Sequence, residues 1–290
     1  MSNDIVDIDT ALKLKGFYFR TPRRIRGNKA GIHKSYYKGI SPDFLEHNEY
    51  HRGDELKQVD WRLYGRHDRL YVKKFEDEVN LKWCLLVDTS ESMNYGAEGA
   101  TKLDHAKSLS GTLAYLLLSQ GDSVGTGGFS GDGLNIIPPR SSSSFITPIT
   151  QTLLSLTASG STEFTASMIK ALNICKGDAV FVLFSDFLID EEKIEETIQL
   201  LKAAKKSVVL FHILHPDEIN FDFGGSIEFQ DMESDTKVIV DAGTIRNTYM
   251  KRISDFMDKI KQIGHENETS YVFSPIGRPI EEALLEIADK

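Results

Sequence analysis

The chain has 290 residues, 40% hydrophobic and 27% charged, which excludes a disordered or fibrous protein and leaves an ordinary globular one. A formal net charge of -9 excludes nucleic-acid binding by bulk electrostatics, although basic residues cluster at 20–29 and 51–74. No apolar run approaches the ~20 residues that span a bilayer, and the N-terminus lacks a charged-then-apolar leader, so a soluble, cytoplasmic chain without a membrane span is expected.

The first 78 residues offer short aromatic and basic pieces ("KGFYFR", "HKSYYKG") and no long periodic element. They are expected to form a small appended segment packed on a main domain over 79–290. "HNEYH" (47–51) spaces two histidines at i, i+4. Its glutamate has the wrong offset for a zinc-protease helix, and a solvated loop is expected. Trp61, with Arg62 and Arg66, is expected to anchor the segment by stacking and ion pairing.

From residue 79 strands and helices alternate. "KWCLLVD" (82–88) is a strand with no polar face, as in a parallel sheet covered on both sides. Residues 102–121 have helical apolar spacing and stop at a glycine. The stretches 122–129 and 134–139 flank "SGDG" and read as a hairpin. Helices are predicted at 144–158 and 164–175, a second apolar strand at 178–186, and a helix at 190–206 with Asp190 as its N-cap. A third apolar strand covers 207–214. A hairpin (225–241), a helix (244–263), a strand (269–274) and a closing helix (277–289) complete the pattern. The fold class is therefore α/β, with a doubly wound, mostly parallel sheet. Cys84 and Cys175 lie in apolar contexts and are expected as free thiols in a reducing compartment.

Open parallel sheets bind ligands beyond the carboxyl ends of their strands. Two strands here end in aspartate, Asp88 and Asp186. Ser90 and Ser92 follow the first, and Thr162 lies in a polar loop between them. All five side chains offer oxygen and none offers nitrogen or sulfur, which suits a hard cation, magnesium above all, with manganese or calcium as substitutes. With hydroxyls bonding directly and the carboxylates acting through water, the ion stays electrophilic and keeps one position open. An Asp or Glu carboxylate from a partner protein completes the shell.

These residues resemble the metal-ion-dependent adhesion site (MIDAS) of von Willebrand factor A domains. That pattern of Asp-x-Ser-x-Ser, a distant Thr and a distant Asp is met by "DTSES" (88–92), "GST" (160–162) and "SD" (185–186). The stretch 49–93 also resembles the signature of bacterial domain-of-unknown-function family fifty-eight. Tyr50, Gly53, Asp54, Asp60, Trp61, Arg66, Val72 and Lys73 fill its positions, with Gly65 in place of the usual alanine. Many members carry two membrane helices ahead of that signature, a pair with no counterpart in this sequence. The resemblance implies a Rossmann-like von Willebrand factor A fold and a non-enzymatic, metal-dependent protein-binding role. It also implies a MoxR-type AAA+ ATPase, or its client, as partner in assembling or maturing protein complexes. The rival reading is a magnesium-dependent phosphatase of haloacid-dehalogenase type with Asp88 as nucleophile and "SDFLID" (185–190) as a second acidic motif. That chemistry wants an acid two residues after the nucleophile, where Ser90 stands.

Overall fold

The structure is a computed structural model that describes residues 5–19, 44–50, 59–60, 63–65, 70–75, 81–130, 133–161, 163–230 and 237–289. The chain forms two compact units, residues 26–80 and residues 1–25 with 81–290.

In the smaller unit, Phe44–Glu49 pairs antiparallel with Tyr71–Phe75, with a bulge between Phe44 and Glu46. Tyr50 N donates to Leu70 O at 2.9 Å and Asp60 N to Tyr71 O at 2.8 Å. Asp60 also accepts from Leu63 N at 3.2 Å, starting a short turn. His47 lies on the strand and not in the expected loop, because its segment pairs with Tyr71–Phe75, His47 opposite Lys73. Gly53, Asp54, Trp61, Arg62 and Arg66 fall outside the described residues, and with them the anchoring role expected of Trp61.

The larger unit is built on one six-stranded sheet. Its strands are β1 (Lys82–Asp88), β2 (Ser123–Ser130), β3 (Gly133–Arg140), β4 (Val180–Ser185), β5 (Ser207–His212) and β6 (Ser270–Phe273). They lie in the order β6-β5-β4-β1-β2-β3, all parallel except the edge strand β3, which runs antiparallel to β2. The predicted doubly wound α/β architecture is what forms. The helices are α1 (Ile8–Lys13), α2 (Lys102–Ser119), α3 (Ile146–Ser155), α4 (Phe164–Ile174), α5 (Glu191–Ala203), α6 (Pro216–Asn220), α7 (Ala242–Glu266) and α8 (Ile280–Leu285).

Strand periodicity explains the two cores. Side chains alternate across a strand, so β1 sends Trp83, Leu85 and Val87 to one face and Cys84 and Leu86 to the other. The first face packs on apolar residues of α1, α2, α3 and α8. The second packs on α4, α5 and α7. Burying a large aliphatic or aromatic side chain in this way contributes roughly 1.5–3 kcal/mol.

Three expectations need correction. Cys84 and Cys175 form a disulfide across 91 residues, with Cα atoms 6.8 Å apart. Cys84 faces the α4 side of the sheet and Cys175 caps α4, a proximity that flanking residues do not reveal. The boundary expected at 78/79 assigns residues 5–19 to the appended segment, yet they belong to the larger unit. Asp7 caps α1, and Ala11, Leu14 and Phe19 enter the first core. Six helical residues with few inward positions show no period. The closing helix is shorter than 277–289, because 288–289 leave it to pair with Tyr18–Phe19.

Asp122, just ahead of β2, accepts from Leu81 N and from Trp83 Nε1, both at 3.0 Å. Burial pushes its carboxyl up to about 6, against the pull of those two donors. A carboxyl raised above its unfolded value favours folding while protonated. Its contribution is complete below pH ~4 and is lost as pH rises through about 6. Thermal melts from pH 4 to 7 should therefore show wild type falling relative to Asp122→Asn. Parallel curves would assign the slope elsewhere.

Candidate functional site

β1 and β4 are neighbours, but their onward connections run to opposite sides of the sheet, β1 to β2 and β4 to β5. This is the switch point at which open parallel sheets leave a crevice. Asp88 closes β1 and Ser185 closes β4, with Asp186 next in the chain. Both carboxylates are 2% exposed.

Local hydrogen bonds aim them. Asp88 Oδ1 accepts from Ser90 N at 2.9 Å, and its Oδ2 accepts from Ser185 Oγ at 2.6 Å. Ser185 Oγ in turn accepts from Phe187 N at 2.8 Å. Phe187 holds φ at 53°, the left-handed region disfavoured for a bulky side chain. Such local strain costs on the order of 1–3 kcal/mol and persists where the surroundings fix it. Here Phe187 is fully buried in the second core, and the turn keeps Asp186 at the strand end. Asp186 Oδ1 accepts from Leu188 N at 3.2 Å.

The hydroxyls of Ser90 and Ser92 lie 3.1 Å apart. Neighbouring ligands of an octahedral magnesium shell with ~2.05 Å bonds stand ~2.9 Å apart, so this pair fits one edge of such a shell. Thr162 is outside the described residues, but its loop reaches the site. Gly160 O accepts from Glu91 N at 2.9 Å, and Ser159 N donates to Thr89 O at 2.8 Å. Among the described residues no three His, Cys, Asp or Glu side chains are grouped to hold a metal. A cation here depends on hydroxyl ligands.

Burial, and after it the nearby Asp186, raises the Asp88 carboxyl to about 6, partly offset by the Ser185 and Ser90 hydrogen bonds. Two carboxylates out of water at one strand edge are a natural seat for positive charge. Part of that charge comes from the chain itself. Lys102, fully buried at the start of α2, places Nζ 2.7 Å from Asp186 Oδ2 and 2.7 Å from Glu218 Oε1 of α6. Burial pulls its pKa down, but Asp186 and Glu218 outweigh this and hold it above the ordinary lysine value. It stays charged. Beside it, Tyr95 donates to Asp217 Oδ2 at 3.2 Å, and burial followed by Asp217 pushes the phenol up to about 12.

The family described as "Protein of unknown function DUF58" matches residues 46–257. The chain belongs to the DUF58 family. Among proteins similar to this DUF58 chain is an uncharacterized protein of Mycobacterium tuberculosis, 22% identical over 239 residues, or 81% of this chain and 74% of that one. A Mycobacterium bovis protein matches to the same extent. Among solved structures, BatB of Bacteroides thetaiotaomicron is 14% identical at a TM-score of 0.47, covering 71% of this chain and 97% of that one. An aerotolerance-related membrane protein of Bacteroides fragilis is 17% identical at 0.46, covering 71% and 96%. The SpRpn10 VWA domain is 12% identical at 0.41, covering 71% and 94%. The architecture of the DUF58 chain stands on its own strand order and register. No helix among its described residues is long and apolar enough to cross a membrane.

Of the residues singled out in the sequence, Asp88, Ser90, Ser92 and Asp186 meet at one sheet edge. Asp190 does not join them. It stands at the start of α5, largely exposed and facing Lys193 at 3.5 Å. Sequence reasoning missed Lys102 and Glu218. The available signal for Lys102 is a cation in the first turn of a helix, where the macrodipole disfavours it. Glu218 gives a signal only for capping, since its Oε2 accepts from His215 N at 2.7 Å.

Proposed function

We propose that this DUF58 chain is a non-enzymatic protein-binding module that takes its partner through a divalent cation at the β1/β4 edge. The observation that carries the reading is the meeting of Asp88, Ser90, Ser92 and Asp186 at the switch point of a parallel sheet. In this reading the hydroxyls of Ser90, Ser92 and Thr162 hold magnesium. Asp88 and Asp186 orient its waters and balance its charge. Manganese or calcium substitutes. A bound ion supplies a Lewis-acidic position for an Asp or Glu carboxylate of the partner. The chain's own part is to present hydroxyl ligands and to keep both carboxylates fixed and shielded.

The family resemblance supports a MoxR-type AAA+ ATPase or its client as partner, in the assembly or maturation of protein complexes. The phosphatase reading is not favoured. The position that needs an acid carries Ser90, whose N–H binds Asp88 and whose hydroxyl meets Ser92.

The test is capture of a MoxR-type AAA+ ATPase from native lysate by this chain, in magnesium and in chelator. Magnesium-dependent retention, lost when acidic surface residues of the ATPase are replaced, is the expected result. Retention that ignores the chelator overturns the cation-mediated contact.

A further inference from the structure

We propose that Lys102 is a built-in counter-ion of this site, a positioning residue that sets how strongly the Asp186 corner attracts a divalent cation. This rests on the cation reading above and concerns a residue that no metal-site pattern in the sequence includes.

Three observations lead to it. First, Lys102 is fully buried, yet its ammonium touches two carboxylates, Asp186 Oδ2 and Glu218 Oε1, both at 2.7 Å. Burying an ammonium is unfavourable unless paired carboxylates compensate, so the lysine is bound to this cluster and not to the general core. Second, Lys102 occupies the first turn of α2, where a positive charge opposes the helix dipole. Thr101 and Asp104 already cap that helix reciprocally, so Lys102 adds nothing to the cap. Third, Glu218 is a fixed seat. Its second oxygen holds His215 N at 2.7 Å in the capping box of α6, so it cannot follow the ammonium.

Lys102 is thus shared between a cation-site carboxylate and a stationary acid outside the set. An incoming divalent ion at Asp186 meets the ammonium's repulsion. Glu218 draws the ammonium the other way and moderates that repulsion. The two residues therefore act on ion affinity with opposite signs.

The experiment is a titration of the full chain with Mn2+, followed by electron paramagnetic resonance, in wild type, Lys102→Met and Glu218→Gln. Lys102→Met should bind Mn2+ about tenfold tighter, since a buried like charge is removed. Glu218→Gln should bind about tenfold weaker, because the ammonium is left to Asp186 alone. Equal affinity in all three proteins, or weaker binding by Lys102→Met, overturns the counter-ion role and leaves the cation site standing. No Mn2+ binding by any of them overturns the cation reading and this inference together. If Lys102→Met does not fold, Glu218→Gln decides alone, since it keeps the Lys102–Asp186 pair, and unchanged affinity there sinks the proposal.

Discussion

An Asp88→Asn chain is expected to bind Mn2+ about 10- to 100-fold more weakly than wild type while folding as well or slightly better in chelator, the loss typical of an outer-sphere carboxylate. Asparagine keeps the shape of Asp88. Its carbonyl can accept from Ser90 N as Oδ1 does, and its amide can donate to Ser185 Oγ, reversing the present bond. What disappears is one negative charge, buried close enough to Asp186 for the two to repel. Removing it relieves like-charge repulsion in the empty site and removes half the carboxylate charge available to a cation. A residue with a purely structural role would lower stability and leave ion affinity alone. Titration calorimetry and thermal melts on the same samples separate these outcomes. Wild-type Mn2+ affinity in Asp88→Asn would refute the assignment of Asp88 to the site.

Gly127→Ala should destabilise the larger unit by about 3 kcal/mol or more, through overpacking against backbone. Gly127 lies on β2 opposite Ile136 of β3, and a Cβ there would stand 2.6 Å from Ile136 Cα and in hard overlap with Asn135 O. Neither atom is the free end of a side chain, so the ladder itself must open. For a domain of this size the loss corresponds to a fall of roughly 10 °C in Tm. Gly224→Ala is the matched control. Its Cβ meets nothing within 4 Å, and a surface change of that kind stays within about 0.5 kcal/mol. Equal melting of the two variants would contradict the close β2–β3 approach. Gly125 and Gly128 are similarly confined, Gly125 by Ile137 O and Pro139 N, and Gly128 by Leu156 and Thr89 side chains. The glycines of "VGTGGF" miss a dinucleotide fingerprint in the sequence, and packing supplies their reason. Glycine in a strand marks close backbone approach.

The sheet was legible because its strands carry unbroken apolar runs. β1, β4 and β5 lie within two residues of their predicted limits. The acid-and-hydroxyl set was legible for a related reason, since a strand that ends in Asp88 or Asp186 announces where its polar end emerges. Contacts between elements far apart in sequence were hidden. Nothing around Cys84 says that Cys175 lies opposite, because that depends on α4 crossing the second face of the sheet. Lys102 escaped for the same reason. Its meaning comes from Asp186, 84 residues on, and Glu218, 116 residues on, and a lysine beside a helix start otherwise reads as surface. The hairpin at 44–49 and 71–75 was masked by polar residues such as His47, Asn48 and Lys73.

The ladder between Tyr18–Phe19 and Ala288–Asp289 has a consequence for biosynthesis. Residues 18 and 19 leave the ribosome well before their strand partners, which come some 270 positions later. Loop closure over that distance is paid before the contact gives anything back. Until residue 289 emerges, that ladder is missing, and so is the Lys13–Glu281 pair at 2.7 Å. The apolar face that α1 covers in the finished protein, including Gly111 beneath Ile5, is less protected during that interval. A nascent chain is therefore least protected on the α2 side of the sheet until residue 289 has emerged.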